Sequence, residues 1–170
     1  MSDPDAGRSR PPPRLVFSTD QFPAGIDDQT RFRLWREFQE EYVGSLDVAR
    51  EEEQPFWGRM EFVQFGACGI GQYSGTFTRV GRTANDVARD GRDTLSVALS
   101  RGRSPVSVSL RGREAVLHPG SATLVSYADP GHFQFTPGFG LLEVSLPRSS
   151  LPHLVAHADS LIALPFDPDQ

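Results

Sequence analysis

The chain has 170 residues, 38% of them hydrophobic and 23% charged, enough for one domain with a core that needs no staples. Its 17 basic residues are all arginine and face 22 acidic ones; the formal net charge of -5 argues against a surface that tracks phosphates. A single cysteine, Cys68, excludes an internal disulfide and a thiolate zinc site, and no apolar run approaches the roughly 20 residues of a membrane span.

The start, MSDPDAGRSRPPPR, is polar and proline-rich. Residues 1–14 therefore read as a disordered tail. With no apolar stretch after its charges this is not a secretory signal, and the expected compartment is cytoplasmic. A helix comes next over 27–43, with Phe32, Leu34, Trp35, Phe38, Tyr42 and Val43 recurring at helical spacing. Asp27 and Asp28 suit its N-terminus and Gly44 its stop. This helix is expected to lie as a lid on the strands C-terminal to it, anchored by Trp35. LDVAREEEQPFWG reads as a strand end and a solvated loop, with Glu51–Glu53 at the surface.

From Phe56 to Leu146 the period changes to two. FWGRMEFVQFGACGIGQYSGTFTRV alternates and is punctuated by Gly66, Gly69, Gly71 and Gly75. Their spacing matches neither a dinucleotide nor a phosphate loop, and they read as bulges and bends in curved strands. Cys68 reads as a small buried strand residue. DTLSVAL places Leu95, Val97 and Leu99 on one face, and SPVSVSL does the same for Val106, Val108 and Leu110. REAVLHPG, SATLVSYA, HFQF and GLLEVSL complete the series, separated by Gly/Pro turns. Many short strands at regular spacing imply a sandwich, barrel or jelly roll. RSSLPHLVAHADSLI then gives a closing helix over about 149–161, so the order is helix, barrel over about 46–146, helix.

FSTDQFP…RFRLWREF, RTANDVARDGRDTLSVALSRG, GREAVLHPG and LLEVSLPRSSL, in that order, resemble the N-terminal domain of AraC-type transcription regulators. The ordered set of Trp35, Ala88–Asp90, Gly112-Arg113 and Pro119-Gly120 carries the resemblance, which spans residues 15 to about 155. It implies a mainly β fold: a cupin-like double-stranded β-helix, or jelly-roll barrel, with an N-terminal helix and a short C-terminal helix, over residues 15–165. It further implies a bacterial, non-enzymatic sensor that takes a small organic effector into its barrel and forms a homodimer. In such regulators a C-terminal domain with two helix-turn-helix units contacts DNA. The sequence ends at Gln170 without one, so no direct DNA contact is expected from this chain. A stand-alone sensor that pairs with an intact regulator is a further reading.

The competing class is a cupin-like metal enzyme, whose imidazole and carboxylate ligands leave coordination positions open. The four histidines, His118, His132, His153 and His157, include no His-x-His pair, and Thr123 stands where the second cupin motif would place a histidine. His153 and His157 share a helix face, but Leu154 occupies the position of a zinc protease's general base. No metal, cofactor or catalytic residue is expected. His118 and His132 read as turn residues at one end of the barrel, with His132 a candidate for the lining of its mouth. Alternation nominates Phe62, Gln64, Tyr73, Val97, Leu99, Tyr127, His132, Phe133 and Phe135 as the ligand pocket.

Overall fold

Alternation becomes two antiparallel sheets. The computed structural model describes residues 14–151 and 155–168. Its strands are β1 (Arg14–Ser18), β2 (Asp47–Arg50), β3 (Gly58–Phe65), β4 (Cys68–Gly75), β5 (Phe77–Arg82), β6 (Thr94–Ser100), β7 (Val106–Leu110), β8 (Arg113–Leu117), β9 (Ala122–Ser126), β10 (Gly131–Phe135), β11 (Leu141–Pro147) and β12 (Pro165–Phe166). Its helices are α1 (Asp28–Tyr42), α2 (Ala84–Asp90) and α3 (Val155–Leu161).

One sheet has the order β1-β3-β4-β11-β6-β9-β12 and the other β2-β5-β10-β7-β8. Between β4 and β11 the chain passes back and forth between the sheets: β4, β6, β9 and β11 in one, β5, β7, β8 and β10 in the other. That path is a jelly roll, the double-stranded β-helix of cupin-like domains. The N-terminal and short C-terminal helices flank it. Among the described residues no helix is long and apolar enough to cross a membrane.

The core fills one end of the barrel. Phe77, Phe133, Phe135 and Phe139 are buried there beside Val106 and Leu117. Ring centroids of Phe77 and Phe135 lie 5.4 Å apart, and those of Phe135 and Phe139 4.2 Å apart.

α1 starts on the Asp27 side chain, which accepts from the Thr30 backbone N–H at 2.7 Å. The first-turn N–H groups hold that carboxyl below the usual range. Midway along, the helix buries Trp35 completely, among Phe17, Phe56 and Phe77 at centroid distances of 5.3, 6.1 and 6.2 Å. A Cβ on Gly58 would come within 3.1 Å of that indole, so β3 begins with a glycine where the helix presses on it. Tyr42 departs from the expected apolar face. It is half exposed, stacked on Phe38 at 4.5 Å, and stands at an opening of the barrel.

Several sequence expectations are corrected by the fold. The tail over 1–14 lies outside the described residues except for Arg14, which opens β1 against Val63. β3 and β4 pair without a register shift from Gly58↔Gly75 to Phe65↔Cys68, so Gly69, Gly71 and Gly75 are not bulges. Gly69 and Gly71 instead make room for inward side chains: a Cβ there would meet Ser145 Oγ at 2.7 Å and Tyr73 Oη at 2.5 Å. Cys68 is half-buried at the start of β4 rather than in the core.

Ala84–Asp90 is helical, opened by a capping box between Thr83 and Asp86 and closed by Gly91 at φ +60°. Seven residues are too few to show a helical period, which is why the pattern of apolar residues misses it.

Trp35→Ala is expected to lower the unfolding free energy by about 3–5 kcal/mol, since it empties a fully enclosed site between helix and barrel. Urea denaturation followed by circular dichroism measures it.

Candidate functional site

The inward rows of the seven-stranded sheet change character along the barrel. One row runs Phe62, Gly71, Glu143, Ala98; the next runs Gln64, Gly69, Ser145, Ser96. Side chains directly opposite on paired strands share a face, so these two rows place a phenyl ring, a carboxyl, an amide and two hydroxyls on one inner wall. Tyr127, just beyond β9, and Tyr42 and Val43 at the end of α1 close the space over them. The result is a cleft of about 310 Å³, with Thr94 and Arg92 also on its lining. That volume is within the range of small-molecule sites.

Glu143 is the charged group at its base. Only 5% exposed, it accepts a hydrogen bond from the Tyr127 hydroxyl at 2.7 Å. Burial pushes its carboxyl up to about 7, against the smaller opposing pull of the Tyr127 bond. Burial likewise raises the Tyr73 and Tyr127 phenols, and the nearby Glu143 charge adds to both shifts. Beside them Ser96 Oγ is buried and has no hydrogen-bond partner among the described residues. A buried hydroxyl facing a cleft without a partner marks a place where an occupant's polar group would be satisfied.

Behind Tyr127 lies a second polar layer. The Arg82 guanidinium sits 6.0 Å from the Tyr127 ring and donates to both oxygens of Asp90, at 2.6 and 2.9 Å. Ser45, in the loop after α1, donates through Oγ to Asp86 at 2.7 Å and through its backbone N–H to Asp90 at 3.2 Å. The Arg82 bonds hold the Asp90 carboxyl far below the usual range, and the Ser45 and Thr83 donors do the same for Asp86. Cleft, β5, α2 and the α1–β2 loop are thereby joined by consecutive polar contacts.

Of the residues nominated from sequence, Phe62, Gln64, Tyr73 and Tyr127 line the cleft. Phe133 and Phe135 lie in the apolar core behind it. Three nominees point elsewhere. Val97 pairs with Val144 and Leu124, and Leu99 with Leu142 and Ala122, on the outer face; the serines of β6 face inward instead. His132 pairs with Gly81 and Ser109 on the outer face of the five-stranded sheet, while its neighbour Phe133 points into the barrel. The sequence pattern alone missed Glu143, Ser96, Ser145, Thr94 and Arg92. One signal was available: Glu143 interrupts the apolar strand GLLEVSL with a lone charge.

The histidines among the described residues do not fit a cupin metal. His118 is exposed in the turn after β8, and His132 is level with Glu114, about 13 Å back along that sheet at strand spacing. His157 is exposed on α3, and His153 lies outside the described residues. Thr123 is buried at its β9 position, and among the described residues no three His, Cys, Asp or Glu side chains converge.

A family model described as an AraC-binding-like domain matches residues 35–170. The chain is 27% identical over 139 residues to an uncharacterized protein in the nit 5′ region of Bacillus sp. (strain OxB-1), covering 82% of this chain and 54% of that protein. In fold it is similar to the AraC-like transcriptional activator CuxR, at a TM-score of 0.69 and 17% identity over 86% of this chain and 52% of that one. The chain thus spans about half the length of both.

Two stability effects of opposite sign are expected. Glu143 titrates at 4.5 by its ordinary value and near 7 when folded, so the folded protein keeps a proton that the unfolded chain releases. Stability attributable to Glu143 therefore falls as pH rises between these values. Glu143→Gln, which cannot ionise but keeps an acceptor for Tyr127, should be more stable than the wild type by about 3 kcal/mol at pH 8, with the gain vanishing near pH 4. Asp90 has the opposite sense: its contribution is present above the ordinary carboxylate range and lost on acidification. Asp90→Asn at neutral pH should cost about 3–5 kcal/mol, because it leaves the Arg82 charge buried without its counter-ion. Urea denaturation of the three proteins across pH reads both effects.

Proposed function

The chain belongs to the AraC-binding-like domain family, and on that premise we propose that residues 15–165 form the effector-sensing and dimerisation domain of a bacterial, cytoplasmic transcription regulator. The effector is a small organic molecule held in the barrel cleft. The observation that carries this reading is the polar floor of the cleft: a buried Glu143 carboxyl bonded to Tyr127, next to a buried Ser96 hydroxyl with no partner among the described residues. A barrel that needed only to be stable would fill these inward positions with apolar side chains, because each buried polar group costs free energy unless it is fully bonded.

The domain acts by binding rather than by turnover. Its readout runs through Tyr127, which touches the cleft on one side and the Arg82 guanidinium on the other. An occupant that moves Tyr127 acts through Arg82 on α2 and on the loop after α1. DNA contact falls to a separate helix-turn-helix domain, in keeping with the formal net charge of -5 here. The partner in dimerisation is a second copy of this chain.

A thermal-shift screen of small organic molecules tests the reading. An effector present at about 100 times its Kd should stabilise the domain by about 2.7 kcal/mol. Ser96→Phe, which fills the cleft, should abolish the shift while leaving the protein folded. Native mass should correspond to twice the 18.7 kDa chain. A monomer whose melting no compound alters would refute the proposal.

A further inference from the structure

The chemistry of the cleft narrows the occupant, given the sensing role proposed above. We infer that the site takes a small protonated organic amine, with its ammonium group against the Glu143 carboxylate and among the rings of Phe62, Tyr73 and Tyr127.

Donor and acceptor supply points to this class. An ammonium group carries three donors and no acceptor. The cleft floor offers acceptors to match. The Glu143 carboxyl receives a single hydrogen bond among the described residues, from Tyr127 to Oε2, which leaves Oε1 to an occupant. Ser96 Oγ is buried and unpartnered. At the exposed rim Gln64 donates one amide N–H to the Gly66 carbonyl, at 2.7 Å, and its carbonyl oxygen is a further acceptor. The rings of Phe62, Tyr73 and Tyr127 line the same cleft, and an aromatic face attracts a cation. Tyr127 already stands beside one, the Arg82 guanidinium.

The position of charge sets the other classes apart. A carboxylate or phosphate ligand would oppose ionisation of Glu143 at the buried end. A neutral polyol would meet the hydroxyls and leave Glu143 protonated, without the ion pair that an ammonium group makes in a poorly solvated space. Arg92 is the basic group on the lining; its Nε lies 3.9 Å from Asp90, and its guanidinium would be within 3 Å of a Cβ at Gly44, which places it on the α1 side of the mouth. An amine therefore enters past a cation and is held beyond it, and the carboxyl at the floor provides the retention.

Occupancy also displaces a proton. Glu143 is faced by the neutral phenols of Tyr73 and Tyr127, with Arg82 behind Tyr127 and Arg92 at the mouth. Burial favours its protonated form in the empty cleft, and an arriving ammonium favours the carboxylate, so the proton leaves.

Titration calorimetry with the intact chain tests the inference, using primary amines from butylamine to 2-phenylethylamine, each beside its matching alcohol and carboxylate. The expected result is that amines bind at least about 10-fold more tightly than their partners, that at pH 6 they release a proton, seen by comparing buffers of different ionisation heat, and that Glu143→Gln weakens the amines by about 10- to 100-fold. The circular dichroism and melting of Glu143→Gln establish that it is folded. Alcohols or carboxylates binding as tightly as amines, or amine binding unchanged in Glu143→Gln, would overturn the amine assignment and leave a sensing cleft. Failure of every member of the three series, with no hit in the wider screen, would overturn the sensing role with it.

Discussion

The Arg82 guanidinium is a buried cation, 4% exposed, and the arrangement around it follows from the need to neutralise it. Removing a charge from water costs several kcal/mol, and a partner recovers this only with good geometry and further hydrogen bonds. Asp90 supplies both oxygens at 2.6 and 2.9 Å. That requirement accounts for an acidic residue at the end of α2, where the helix dipole by itself disfavours negative charge. It also accounts for α2 itself. A seven-residue helix has little stability of its own; the Thr83–Asp86 capping box starts it, and the bonds that Ser45 and Arg82 donate to Asp86 and Asp90 hold it against the barrel.

The barrel beyond that node is divided. At one end Phe77, Phe133, Phe135 and Phe139 interlock with edge-on and offset rings, and Trp35 extends the cluster to α1. At the other end the inward positions carry Glu143, Ser145, Ser96 and Gln64. Gly69 and Gly71 belong to the same division. By lacking side chains on β4 they let the Phe62 ring lie over Gly69 beside Ser145, and the Tyr73 hydroxyl over Gly71, which pairs with Glu143. The apolar end supplies the stability that a cleft with a buried acid reduces, and Tyr127 stands at the boundary between cleft and Arg82.

The strand series was legible because turns and alternation recur along the chain, and the path of a double-stranded β-helix followed from resemblance rather than from period. The site was legible in part. Phe62, Gln64, Tyr73 and Tyr127 were reached by assuming that apolar and aromatic residues point inward, and the same assumption misplaced Val97 and Leu99. Alternation in TLSVALS divides the residues between two faces without saying which is inside. In this sheet the outer face is apolar as well, with Val97, Val144 and Leu124 adjacent, while the serines line the cleft. His132 failed for the same reason, one residue out of phase with Phe133.

Sequence alone determined the elements that depend on local chemistry: the Asp27-capped helix with Trp35 on its apolar side, the short strands between Gly/Pro turns, and the absence of a histidine pair suited to a cupin metal. Tertiary structure alone decided which face of each strand is interior, that RTANDVARDG folds as a capped helix, and that Glu143, Tyr127, Arg82 and Asp90 stand in succession. The physical reason is sequence separation. Tyr127 and Glu143 lie 16 positions apart, Ser45 and Asp86 41 positions apart, and their contacts exist only once strands from both sheets have paired in register. Local propensity carries no information about such pairs, whereas burial makes them the groups with the most at stake.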